Sequence, residues 1–200
     1  MIKKYGLLFL IPFCLAGCLT SNTPAPTYYV LNPEMINVED KQNLPVSVII
    51  ERPAVVSGLN TDRIALVKSN GRELDYFAEA RWNGQLDKIV QDFIIESFEN
   101  SYDIVEVNTT SLHQKADYLV VTKIRDFQAE YDGDTNSPPT IKVTLVSSIL
   151  KLPEKKMMSR IIKTQEKTLQ ENSMAAIVGG FEELLRQTSY EILDEMSQKL

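Results

Sequence analysis

The sequence predicts an α+β domain, an antiparallel sheet with two long amphipathic helices packed on one face. Three observations predict it. Apolar residues recur at three- and four-residue spacing over Trp82–Glu99 and again after Ser173, which is the stripe of a half-buried helix. Two strand-like runs, Arg63–Lys68 and Glu73–Phe77, flank Ser69-Asn70-Gly71-Arg72, and Asn-Gly tolerates the positive φ of a hairpin turn. A longer pair, Tyr118–Tyr131 and Ile141–Leu150, flanks a turn rich in Asp, Gly, Asn, Ser and Pro over Asp132–Pro139.

The chain opens with Met1-Ile2-Lys3-Lys4 and an apolar run from Tyr5 to Leu15. A permanent membrane helix needs about 20 apolar residues, so this run reads as the core of a signal peptide. It ends in Leu15-Ala16-Gly17-Cys18, which resembles the lipobox of bacterial lipoproteins. Residues 1–17 are therefore expected to be removed, and Cys18 to carry the lipid, its thiol being nucleophilic enough to form a thioether. Several acyl chains anchor stably where one binds reversibly. Leu19 is not the Asp that retains enteric-type lipoproteins at the inner membrane, so the expected location is the periplasmic face of the outer membrane. Residues 18–27 form a lipidated tether, polar and interrupted by Pro24 and Pro26. Residues 28–200 form one domain.

That domain begins with a β-favouring run at Tyr28–Leu31, followed by polar, irregular chain over Pro33–Asn43. Val46–Glu51 is strand-like between Pro45 and Pro53. The first hairpin leads to a helix whose stripe is Trp82, Leu86, Ile89, Val90, Phe93, Ile94 and Phe98. Ile104–Val107 is a short strand. The apolar face of Tyr118–Tyr131 changes near Ile124–Phe127, which predicts a bulge. Pro153–Lys156 turns into a polar, exposed strand at Met158–Leu169. Ser173 is a suitable N-cap for the last helix, whose stripe runs from Met174 and Ile177 to Ile192 and Met196.

Composition removes several function classes. Lys and Arg number 21 against 27 Asp and Glu, a net charge of −6, and Lys3 and Lys4 leave with the signal peptide. No basic run suits nucleic acid, and membrane contact is expected from acyl chains rather than from a basic patch. Cys14 lies in the signal peptide and Cys18 is used by lipid, so no thiol remains for a disulfide. His113 is the only histidine and reads as a surface or structural residue. Glu130, Asp132, Asp134 and Asn136 suggest calcium, but an EF-hand loop started at Asp132 would place Ser137 at its glycine position and Val143 at its glutamate position. Gly179-Gly180 lacks the spacing and the Lys of a phosphate loop and reads as a packing contact or kink. No catalytic or metal site is expected, and no cofactor beyond the covalent lipid on Cys18.

Arg81-Trp82 follows the first hairpin, and Trp82 is the only tryptophan. The plain reading is an aromatic that anchors the helix on the sheet, with partner binding as the alternative. The turn-rich Ser57–Asp62 precedes the same hairpin, and antiparallel pairing brings the ends of a hairpin together. Gly58, Leu59, Arg63, Arg81 and Trp82 are thus a candidate partner-binding patch.

Segments spread along the mature chain resemble the ABC-type transport auxiliary lipoprotein family, which includes the paraquat-inducible protein C type associated with MCE-domain transporters. They are the lipobox and linker leading to Tyr28-Tyr29-Val30-Leu31, then Gly58-Leu59-Asn60-Thr61-Asp62-Arg63-Ile64-Ala65-Leu66, then Tyr76-Phe77-Ala78-Glu79-Ala80-Arg81-Trp82, and finally Ala116-Asp117-Tyr118-Leu119 with Arg125-Asp126-Phe127-Gln128-Ala129-Glu130-Tyr131. Asn60 stands where an Asp is more usual. The resemblance implies a non-enzymatic subunit of a system that moves lipids or hydrophobic compounds between the two membranes, with an MCE-domain protein and an ABC permease complex as partners. MCE proteins form rings, so a homo-oligomer is compatible with it. The alternative is a structural outer-membrane lipoprotein that assists assembly of an envelope complex.

Overall fold

A computed structural model describes residues 25–33, 42–68, 71–109 and 115–199. The strands are β1 (Thr27–Tyr29), β2 (Gln42–Ile50), β3 (Ala54–Val55), β4 (Arg63–Lys68), β5 (Glu73–Trp82), β6 (Tyr102–Asn108), β7 (Tyr118–Glu130), β8 (Thr140–Lys151) and β9 (Lys156–Thr168). The helices are α1 (Leu86–Ser101), between β5 and β6, and α2 (Met174–Ser197), after β9.

The class is α+β, but the sheet is mixed rather than antiparallel. Its spine is β7. One edge of β7 pairs with β8 along the full length of the strand, antiparallel, and β9 continues that meander. The other edge is divided among three strands, all parallel to it: β2 at Tyr118–Val120, β3 at Lys123–Ile124 and β4 at Ala129–Glu130. The pairings β2 with β6 and β1 with β5 are parallel too, while β4 and β5 form the expected antiparallel hairpin. Parallel neighbours need long crossovers, so they are distant in sequence and leave no turn signature.

Local signals explain most of the elements. The bulge in β7 falls between Ile124 and Asp126, within the expected window. Ser173 caps α2, its side chain accepting from the Ala176 N–H at 3.2 Å. Gly71 has φ +81° at the β4–β5 turn, as an Asn-Gly turn requires. The first helix begins at Leu86 instead of Trp82. Trp82 remains in the β5 ladder because its N–H donates to the Asp62 carbonyl at 2.7 Å and it pairs in register with Tyr29.

The two helices touch each other; α2 lies on β8 and β9, and α1 on β2, β3 and β6. One apolar cluster joins them to the sheet. At its centre Phe127 and Phe181 stack at 4.6 Å, and Trp82 meets both edge-on at 6.0 and 5.5 Å. The polar atoms admitted to the interior are mostly paired. Thr122 and Ser147 hydrogen-bond through their hydroxyls at 2.9 Å, and Gln91 Nε2 donates to the Ile50 carbonyl at 2.9 Å. Lys and Ser side chains of β9 tie that strand to glutamates of α2. Lys163 meets Glu191 at 3.0 Å, Lys167 pairs with Glu183, and Ser159 donates to Glu195 at 3.2 Å.

Candidate partner interface

The β4–β5 hairpin brings the five candidate residues together. Glycine at residue 58 is favoured by its φ of +89°; a Cβ there would lie 2.6 Å from the end of the exposed Leu74 side chain, which would have to turn aside. The close approach lets the Gly58 carbonyl accept from the Tyr76 hydroxyl at 2.7 Å. Arg63 and Arg81 are cross-strand partners. Like charges placed opposite repel, and here each guanidinium has its own task. Arg63 lies over the Tyr76 ring, 3.8 Å from its centroid, a cation–π contact. Arg81 Nη1 donates to the carbonyls of Phe77 and Ala80 at 3.3 and 3.1 Å. Those carbonyls flank the register shift of β5, so Arg81 satisfies backbone that the ladder has left.

The five residues divide by depth. Leu59 and Trp82 are 5% and 1% exposed and belong to the core. Arg63 and Arg81 are half-buried at the rim, and Gly58 is exposed. Trp82 thus packs between sheet and α2, which is the anchoring reading of that residue. Sequence reasoning missed Tyr76, which joins the Ser57–Asp62 loop to β5 through its hydroxyl and holds Arg63 through its ring. A tyrosine in an alternating strand carries no mark of such a role.

Beside this rim β5 has an open edge. β1 covers only Ala80–Trp82, and Glu73–Glu79 have no strand on that side among the described residues. Leu74 stands 45% exposed there. A shallow cleft of about 380 Å³ adjoins the edge, lined by Tyr76, Phe77, Tyr131, Asn172 and Met174. The Tyr131 hydroxyl donates to Asn172 Oδ1 at 2.8 Å, and burial pushes its pKa up. The hydrogen bond from Lys68 Nζ, with a second from the Tyr76 N–H, holds the Asp75 carboxyl below its ordinary range. The groups gathered here are hydrogen-bonding, aromatic and acidic, and suit contact with an extended chain more than bond making. Among the described residues no cluster of His, Cys, Asp or Glu could hold a metal ion, and no helix is long and apolar enough to cross a membrane. Cys18 and His113 lie outside the described residues.

Comparison with known proteins bears on the fold and the family. The fold is similar to that of protein XCC0632 from Xanthomonas campestris, with TM-score 0.68 and 22% identity over 84% of this chain and 90% of that one. It is also similar to protein CT253 from Chlamydia trachomatis, with TM-score 0.53 and 8% identity over 78% of this chain and 98% of that one. Protein bll6063 of Bradyrhizobium diazoefficiens is 31% identical over 169 residues, which is 84% of this chain and 43% of that protein. This chain therefore spans less than half the length of that relative. The profile of the ABC-type transport auxiliary lipoprotein component matches residues 29–193, nearly the whole described domain, and the chain belongs to that family.

Proposed function

We propose that the protein is a lipid-anchored, non-enzymatic auxiliary subunit of an ABC/MCE-type system that moves lipids or hydrophobic compounds between the inner and outer membranes. Residues 1–17 are the signal peptide, Cys18 bears the acyl chains, and the domain stands on the periplasmic face of the outer membrane. The observation that carries this reading is the family match over residues 29–193. The lipobox at Leu15–Cys18 supports the anchor, and Leu19 supports the outer membrane. In this reading the transport partner docks on the rim and open edge of the β4–β5 hairpin, touching Gly58, Arg63 and Arg81, while Leu59 and Trp82 support that surface from the core.

Two measurements test it. Palmitate labelling should be lost in Cys18→Ser, because a hydroxyl is too weak a nucleophile for the lipid transfer; labelling equal to wild type would sink the anchor. Crosslinking in cells should recover an MCE-domain protein or its permease. Leu74→Asp, at an exposed edge position, should keep the wild-type melting temperature and lose that recovery. Full recovery by a folded Leu74→Asp would place the partner elsewhere.

A further inference from the structure

The face of the β7–β8–β9 meander turned away from α2 is divided along its length. Toward the β7–β8 turn it is polar and internally compensated. Lys142 meets Glu166 at 2.9 Å, and Thr144 and Thr164 hydrogen-bond at 3.0 Å. The other end is different. Strand registers set three rows across it: Leu119, Leu150 and Met157; Val121, Ser148 and Arg160; Lys123, Val146 and Ile162. No carboxylate stands in those rows. Met157 and Ile162 are 57% and 53% exposed, high values for large apolar side chains.

At this end six cations stand without a carboxylate partner among the described residues. Lys68, Lys88, Lys142, Lys163 and Lys167 all have carboxylate partners. Lys123, Arg160 and Arg125, the last at the β7 bulge, have none among the described residues, nor have Lys151, Lys155 and Lys156 at the β8–β9 turn. Glu154 is the one acid within residues 118–125 and 145–165. A chain of net charge −6 thus gathers unneutralised positive charge around exposed apolar side chains.

We propose that this face is a second membrane contact, which docks on a bilayer surface bearing anionic phospholipid. Two arguments favour lipid over a protein partner. Lysine is depleted at protein–protein interfaces, and four of the six cations at this end are lysines. Lysine clusters are the usual footprint of anionic lipid, and their long stems let Met157 and Ile162 sink while the charges remain at headgroup level. The reach is sufficient. Nine residues from Cys18 to Thr27 span at most about 30 Å, against about 14 Å for the three strand steps from β1 to β7. The contact would fix the orientation of the domain, which a tether alone leaves free. It goes beyond the anchor and does not depend on it.

The test uses a chain that starts at Leu19 and so carries no acyl group. The described core residues all lie at or beyond Leu31, so that chain keeps every one of them. It is mixed with vesicles of phosphatidylcholine alone or of equal parts phosphatidylcholine and phosphatidylglycerol, and the bound fraction is read by flotation. The expected result is binding to the anionic vesicles only, falling as ionic strength rises. Lys123→Gln and Arg160→Gln should each weaken it about fivefold, and Ile162→Ser should weaken it further, all with unchanged circular dichroism. Equal partition to both vesicles, or variants that bind like wild type, would overturn the proposal. So would failure to bind vesicles by a chain whose Lys123→Gln, Arg160→Gln variant loses a crosslink to an acidic protein. Palmitate labelling of the full chain reports the anchor separately.

Discussion

The two faces of the β7–β8–β9 meander are made of alternating residues of the same three strands, and they differ in nearly every physical respect. On the face toward α2, Val120, Ile124, Phe127, Ile141, Val143, Leu145 and Ile149 are each at most 1% exposed. The hydroxyls admitted there, Thr122 and Ser147, satisfy each other. The opposite face keeps Lys, Arg, Thr and Glu, with apolar side chains at one end only. A strand fixes no more than the alternation. What makes one face a core is α2 lying on it, and two bulges preserve the sidedness. The extra residue near Arg125 in β7 and the one at Met158 in β9 each shift register once and return the next apolar side chain to its face.

The sharpest way to break this contrast is to cut the stack that joins the inner face to α2. Phe181→Ala removes a ring that stacks on Phe127 and meets Trp82 edge-on. The site is fully buried, so the loss should be about 3–5 kcal/mol in urea-induced unfolding. Ile162→Ala on the outer face should change stability by no more than about 0.5 kcal/mol. Similar losses for the two would mean that α2 does not define the core.

The neighbouring glycines of α2 sharpen the same contrast one residue at a time. A Cβ on Gly180 would lie 2.8 Å from Ile141 Cγ1 and 3.2 Å from Leu169 Cδ2, against the inner face. A Cβ on Gly179 would meet nothing within 4 Å. Gly180→Ala should therefore destabilise by about 1–3 kcal/mol through overpacking. Gly179→Ala should stabilise by about 0.5–1 kcal/mol, because it removes a helix glycine at no steric cost. Opposite signs in thermal or urea unfolding check the pair, and equal signs would contradict the close approach of helix to sheet.

These contrasts also mark what a sequence of this kind discloses. Alternation and helical periodicity are local, so β7, its bulge, β8 and both apolar stripes were legible, as were the Ser173 cap and the Gly71 turn. The parallel partners of β7 were not, because β2, β3 and β4 reach it through crossovers that leave no mark in the residues. Trp82 was read as the first helical residue because its spacing to Leu86 fits a stripe, yet a hydrogen bond to Asp62 and pairing with Tyr29 keep it in β5. The candidate patch was legible as a convergence of Gly58, Leu59, Arg63, Arg81 and Trp82, but depth depends on tertiary packing, which placed Leu59 and Trp82 inside. Net charge is a sum and carries no arrangement: a total of −6 predicts no electrostatic pull toward anionic lipid, and it does not disclose that several cations on one face stand without a carboxylate partner among the described residues.

The smallest expected effect lies in the polar half of the outer face and is read through pH. A hydrogen bond to Glu166 raises the pKa of Lys142, with Glu130, Glu166 and Asp126 adding electrostatic support and burial opposing it. The folded state thus favours the charged amine. Stability from that preference is fully present below the unfolded pKa of lysine, about 10.4, and is lost as pH rises through the higher folded value. The pair is partly exposed, so the contribution at neutral pH should be about 0.2–1 kcal/mol. Lys142→Met should lower stability by that amount at pH 7, and the gap should close above the folded pKa. Tyr131 titrates in the same range with a pKa raised by burial, so its stabilisation also fades as pH rises. The comparison is therefore made in a Tyr131→Phe background, where the remaining alkaline difference belongs to Lys142. A gap that persists unchanged at the highest pH would mean that Lys142 acts through the packing of its stem and not through its charge.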